Sequence, residues 1–297
     1  MKRKVQLVLG SGGARGVAHI GVIQLLLEQG YEIVEVAGCS MGAVVGGMFC
    51  AGHLPQYTEW LLKQSKTDVY LLFDLAFSLK GLVRGERIFS VLEHMAGKRR
   101  IEELDIPFTA IATDILSRRE VHFRVGDLYK ALRASTGIPG VFTPIADEKC
   151  LYVDGGVLNP LPISCLEKRT DTLVVAVNLN GAFDIEIAPE VSAEEDAPDF
   201  LSRMLGYFWP GQKNVEGSEI AAQAPFTMFE LMKASYNATV DRLTAETLFH
   251  HPPDILIEIP RNVCSVFEFY RAAELIEIGK KAYRRQINLN AASVQAR

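Results

Sequence analysis

The first fifty residues read as strand, glycine turn, helix, strand, glycine turn, helix, and that alternation narrows the architectures open to the chain. Val5 to Leu9 is an apolar run stopped by Gly10, after which Ile20, Ile23, Leu26 and Leu27 recur at helical spacing between Val17 and Gln29. Gly30 ends that helix, "EIVEVAG" supplies a second strand, and Met41 to Ala51 supplies a second helix rich in small residues. Strands joined through a helix run parallel, with the helices packed on the sheet faces. Further strands are expected at Phe108–Thr113, Glu120–Arg124, Leu173–Val177 and Asp254–Ile259, with helices at Asp127–Ser135 and Phe267–Arg285. Continuous apolar stretches such as "TLVVAV" suit strands covered on both faces. The expectation is an α/β fold with a mainly parallel central sheet, built as one domain over 1–297. An acidic, proline-bearing stretch, "APEVSAEEDAPD" (Ala188 to Asp199), leads into the apolar "FLSRMLGYFWPG". The two mark an insertion at about 183–215 that should be solvated and mobile in its acidic part.

Bulk properties exclude several classes. The net charge of −5 leaves no basic face for phosphate backbones, so nucleic acid is not an expected partner. Five cysteines without C-x-x-C pairing, in a chain of 297 residues, point to a reducing compartment and offer no zinc spacing. No metal and no organic cofactor is expected. The start "MKRKVQLVLGSGGARG" imitates a secretory signal, but its apolar core is short and Arg15 follows closely, so it reads as a buried strand in a cytoplasmic protein.

"GSGGARG" between the first strand and helix invites a nucleotide-binding reading that fails in detail. Arg15 stands where a dinucleotide loop needs its third small residue, and a Walker loop needs a Gly-Lys pair that is absent. What remains is a run of main-chain N–H groups at a helix N-terminus, a cradle for an anion such as a transient oxyanion. At the second crossover, "GCSMG" fits G-x-S-x-G between strand and helix, where Gly38 and Gly42 relieve crowding around an exposed Ser40 hydroxyl. The competing reading is a tight turn with Ser40 as helix N-cap.

A serine nucleophile needs a base. His250 and His251 precede the last strand and so belong at the wrong end of a parallel sheet, and His19 lies inside the first helix. A buried carboxylate is the alternative, because lost solvation raises its pKa toward neutrality. "YVDGGVLNPLP" offers Asp154, with Gly155 and Gly156 permitting close approach. Residue types alone do not separate Asp154 from Asp114, Asp147 or Glu148.

The ordered set of glycine loop with Arg15, "GCSMG" and "DGG" resembles the patatin-like phospholipase family, as do "RASTGIPGVFTPI" (Arg133 to Ile145), "GLVRGERI" and "ATDI". The resemblance extends over about residues 5 to 285 and is closest to bacterial members related to the catalytic domain of neuropathy target esterase. It implies a three-layer α/β/α sandwich, Ser40 as nucleophile, Asp154 as its sole partner base, and the Gly12, Gly13, Ala14, Arg15, Gly16 loop as oxyanion hole. Arg15 would either contact a lipid phosphate or brace the loop. The implied activity is hydrolysis of phospholipid or lysophospholipid acyl esters. A small-ester or thioester hydrolase, or a non-catalytic acyl-binding regulator of the same fold, are the alternatives. Peripheral membrane contact is expected through 70–83 and 200–211, which are apolar enough for interfacial or lid segments and equally suited to closing over the sheet.

Overall fold

The computed structural model describes residues 3–72, 75–78, 81–147, 149–184, 187 and 228–295. Strands β1 (Lys4–Leu9) and β2 (Glu32–Cys39) flank helix α1 (Ala18–Glu28), and a 3-10 turn at Gly13–Val17 leads into that helix. Helices α2 (Met41–Cys50), α3 (Leu54–Leu62) and α4 (Lys66–Leu72) follow, then a two-stranded ribbon of β3 (Leu75–Ser78) and β4 (Gly81–Val83), then α5 (Glu86–Ala96). Next come β5 (Phe108–Asp114), β6 (Arg119–Phe123), α6 (Leu128–Ser135), β7 (Ile145–Asp147), β8 (Cys150–Asp154) and β9 (Thr172–Gly181). Helix α7 (Met228–His250), β10 (Ile255–Pro260) and α8 (Ala272–Gln295) complete the described chain.

Eight strands form the main sheet, in the order β10-β9-β1-β2-β5-β8-β7, with β6 also on β5. The five from β10 to β5 are mutually parallel, as the crossover helices require, while β6 and β8 both run antiparallel to β5. β1 is paired on both edges, which explains its apolar run: Val5, Leu7, Val8 and Leu9 are all fully buried. Period-2 alternation divides them between two cores. Val5, Leu7 and Leu9 join the large cluster under α1, α2, α6 and α8, and Val8 packs with Leu161, Ile163 and Leu248 of α7 on the opposite face. Helices on both faces make the three layers that the resemblance implies.

The predicted strand and helix positions hold with ends shifted by a few residues, except that the last helix runs on to Gln295, well past the expected Arg285. The last helix starts at Ala272, after a 3-10 turn at Phe269–Arg271 that takes up the earlier part of the expected segment. The acidic and apolar stretches at 188–199 and 200–211 lie outside the described residues. Of 70–83, Val69 and Leu72 beside it turn inward on α4 while Leu71 is 63 % exposed. No described helix is long and apolar enough to cross a membrane.

Candidate active site

The register of β5 brings Ser40 and Asp154 together. β6 occupies one edge of Ala110–Asp114, so β2 and β8 must share the other. Along that edge β2 ends with Cys39 opposite Ile111, and β8 arrives antiparallel and ends with Asp154 opposite Ala112. Two strands of opposite direction thus finish head to head. Residues more than a hundred apart meet where the sheet's C-terminal ends open.

Ser40 sits at the N-cap position of α2 with φ 55° and ψ −125°, a left-handed conformation rare outside glycine. Two contacts over-determine it. Its N–H donates to Ser135 Oγ at 2.9 Å, and Ser135 Oγ in turn donates to the Ile111 carbonyl at 2.5 Å. Gly42 has no room for a side chain, since a Cβ there would stand 2.1 Å from the Leu9 carbonyl oxygen. A Cβ on Gly38 would likewise meet the backbone of Ala43. The N-cap alternative does not describe this serine: its hydroxyl makes no capping bond and instead donates to Asp154 Oδ2 at 2.6 Å.

Asp154 is 1 % exposed. Its Oδ1 accepts the Gly156 N–H at 2.7 Å, and its own N–H donates to the Gly137 carbonyl. Burial pushes its carboxyl up to about 6, against the lowering effect of the Ser40 and Gly156 hydrogen bonds. A Cβ on Gly155 would stand 2.3 Å from the Ile111 carbonyl oxygen, so a side chain there is excluded, and one on Gly156 would crowd Tyr236 Oη and Asp154 Oδ1. The other carboxylates the sequence left open are engaged elsewhere: Asp114 accepts from Ser117 and the Leu151 N–H, and Asp147 pairs with Lys130 at the surface. Glu148 lies outside the described residues.

The glycine loop runs beside Ser40, but its five residues are not equivalent. The Ala14 N–H donates to the Val266 carbonyl at 2.9 Å, so it is spent, whereas the Gly12 and Gly13 N–H groups meet no acceptor among the described residues. Gly13, at φ 59°, lines the cleft with Ser40. Gly16 packs its Cα against Met41. Arg15 is buried and braces the loop: Nε donates to the Gly12 carbonyl at 3.0 Å, Nη1 to the Arg261 carbonyl at 3.2 Å and Nη2 to Asn180 Oδ1 at 3.3 Å. Burial draws its pKa down to about 10, which keeps it charged at neutral pH.

No histidine approaches the pair. His19 Nε2 lies 2.9 Å from the Gly10 carbonyl oxygen, and burial lowers the imidazole to about 4, so it is a neutral structural donor. His250 and His251 are exposed at the other end of the sheet, ahead of β10. Ser135 and Tyr236 are parts of the site that the sequence reading did not assign. Ser135 lies in the quoted "RASTG" stretch, but only its position under the elbow gives it a role.

Ser40 opens into an apolar cleft lined by Met41, Val44, Trp60, Leu61, Phe89 and Phe142, among others. A mainly parallel sheet with helices on both faces defines a class of fold, and the sequence comparisons agree with it. Residues 7–166 match the profile of the patatin-like phospholipase family, and the chain belongs to that family. Within it, an NTE family protein of Mycobacterium tuberculosis is 36 % identical over 324 aligned positions, spanning 93 % of this chain and 89 % of that one. The neuropathy target esterase of Drosophila melanogaster is 31 % identical over 62 % of this chain and 13 % of its own length. A lysophospholipase of Cryptococcus neoformans is 31 % identical over 70 % of this chain and 12 % of that protein. Among solved structures, VipD from Legionella pneumophila aligns with a TM-score of 0.40 and 13 % identity over 96 % of this chain and 67 % of that one.

Proposed function

We propose that the protein is a serine hydrolase of lipid acyl esters, of the phospholipid or lysophospholipid class, with residues 1–297 as one catalytic domain. The observation that carries the reading is the 2.6 Å hydrogen bond from the Ser40 hydroxyl to a buried Asp154, at the mouth of an apolar cleft. Family membership, with an esterase and a lysophospholipase among the relatives, supports the substrate class.

In this mechanism Asp154 Oδ2 takes the Ser40 proton as Oγ forms a bond to the ester carbonyl carbon. The carbonyl π electrons move onto oxygen, and the Gly12 and Gly13 N–H groups receive that oxyanion. Each such donor is worth about 3 kcal/mol of transition-state stabilisation. Collapse expels the alcohol, which leaves with the proton from Asp154. Water then repeats the sequence on the acyl-enzyme, giving up its proton to Asp154 and returning Ser40 as a hydroxyl. A single carboxylate suffices because burial brings its pKa to about 6, close enough to neutrality to accept a proton and still be ionised at pH 7.

The cleft supports a long acyl chain over a small ester: apolar side chains line it, and among the described residues no cation does. Leu71, exposed on α4 while its neighbours Val69 and Leu72 line the cleft, would meet a lipid surface beside the opening. The test is labelling by a fluorophosphonate together with p-nitrophenyl ester turnover. Ser40 should be the labelled residue, and kcat/KM should rise with acyl length. Labelling elsewhere, or turnover that survives Ser40→Ala, refutes the nucleophile; a preference for acetate over long chains refutes the lipid assignment.

A further inference from the structure

On the far side of β5 from the β2–β8 junction, four ligand-bearing side chains converge that the reaction does not use. Glu120 and His122 stand two apart on β6, and their cross-strand partners are Thr113 and Ile111. Directly opposed residues of an antiparallel pair share a face, so both point to the side where Ile111 packs with Cys39 and Cys165. Cys165 is 3 % exposed and closes the segment that follows Asp154. Asn159 belongs to the same segment.

The separations are those of a coordination shell. His122 Nε2 lies 3.5 Å from Cys165 Sγ and 3.0 Å from Glu120 Oε2. Asn159 Nδ2 lies 2.9 Å from Glu120 Oε2 and 3.7 Å from Cys165 Sγ. Around Zn²⁺, bonds of about 2.3 Å to sulfur and about 2.0–2.1 Å to nitrogen or oxygen put neighbouring tetrahedral ligands about 3.3–3.6 Å apart. The two edges between ligand atoms, His122–Cys165 and His122–Glu120, are therefore in place to within a few tenths of an ångström. Asn159 borders the same cluster. It is 4 % exposed, yet its Oδ1 is buried with no partner among the described residues. A half-turn of the amide exchanges Oδ1 with Nδ2 and offers an oxygen to the site.

We infer that Glu120, His122, Cys165 and Asn159 bind one Zn²⁺ ion that ties the segment following Asp154 to the β5–β6 hairpin. The donor set of thiolate, imidazole and carboxylate suits zinc better than magnesium or calcium. On binding, the Cys165 Sγ–H bond gives way to an S–Zn bond and the proton passes to solvent. Thiolate and carboxylate balance the ion's two charges, so the loaded site is neutral overall. Its effect is on rigidity. Arg124 supports the ring from outside by donating to the Cys165 carbonyl at 2.8 Å.

The test uses the intact chain, stripped with a chelator and titrated with Co²⁺, then with Zn²⁺. One Co²⁺ per chain should give a thiolate-to-metal charge-transfer band and the strong visible bands of a four-coordinate ion, and Zn²⁺ should abolish both and raise Tm. Cys165→Ser should remove the charge-transfer band, and Cys150→Ser should keep it. His122→Ala, at the half-exposed rim where folding is not at stake, should weaken Zn²⁺ at least about tenfold against a chelating dye and lose the Tm gain. A wild-type chain without the band overturns the site, and so does a Zn²⁺ affinity or a Tm gain left unchanged in His122→Ala.

Discussion

Replacing Asp154 by Asn should stabilise the protein while silencing it, and by an amount that depends on pH in a calculable way. A carboxyl moved from 3.8 to about 6 by burial is about 3 kcal/mol costlier to ionise in the folded chain than in the unfolded one. Between those two values the folded chain holds a proton that the unfolded chain has released, so stability falls as pH rises through about 6. Above that the whole cost is present; below 3.8 none of it is. Asn is isosteric and neutral, and it keeps both bonds: Oδ1 can accept the Gly156 N–H, and Nδ2 can donate to Ser40 Oγ. The variant should exceed wild type by about 2–3 kcal/mol at pH 8 and match it near pH 4, a Tm gain of about 4–6 °C at the higher pH. Measuring the difference between the two proteins cancels His19, whose depressed pKa makes both lose stability as pH falls from 6.5 toward 4. Thermal unfolding at each pH, with p-nitrophenyl butyrate turnover alongside, reads both halves. Turnover should drop about 10³-fold in the variant, and wild-type kcat/KM should decline below about pH 6. A variant less stable than wild type at pH 8, or a gain that does not change with pH, would refute the reasoning that burial sets this carboxyl's pKa.

Gly13→Ala puts a Cβ at φ 59° and 2.6 Å from Val266 Cγ1, so the loop must shift and kcat should fall about 100-fold; Gly30→Ala, also at positive φ but with nothing within 4 Å, should cost about 1 kcal/mol and leave kcat alone. Ser135→Ala strands the buried Ser40 N–H, which should cost about 1–3 kcal/mol in urea unfolding and lower kcat with little change in KM. Arg15→Lys cannot reach the Gly12 carbonyl, the Arg261 carbonyl and Asn180 at once, and should cost about 2 kcal/mol with slower fluorophosphonate labelling.

Local signals carried much of the fold. The β-α-β-α opening, the parallel core and the elbow at Ser40 follow from runs a dozen residues long, in which apolar period and glycine placement are written directly. Helix α7 escaped because its apolar residues do not gather on one face, and β7 because three residues are too short for a periodic signal.

By itself the sequence determined which residue types could do chemistry: a serine between glycines, a loop of small residues, and a set of carboxylates among which it could not choose from composition. The tertiary structure alone decided that Asp154 faces Ser40, because that contact depends on β8 entering antiparallel on the edge of β5 that β2 has just vacated. It also decided that the Ala14 amide is spent while those of Gly12 and Gly13 meet no acceptor among the described residues, and that Glu120, His122, Asn159 and Cys165 share one spot. Strand order and edge occupancy are long-range properties, and no window of local sequence contains them.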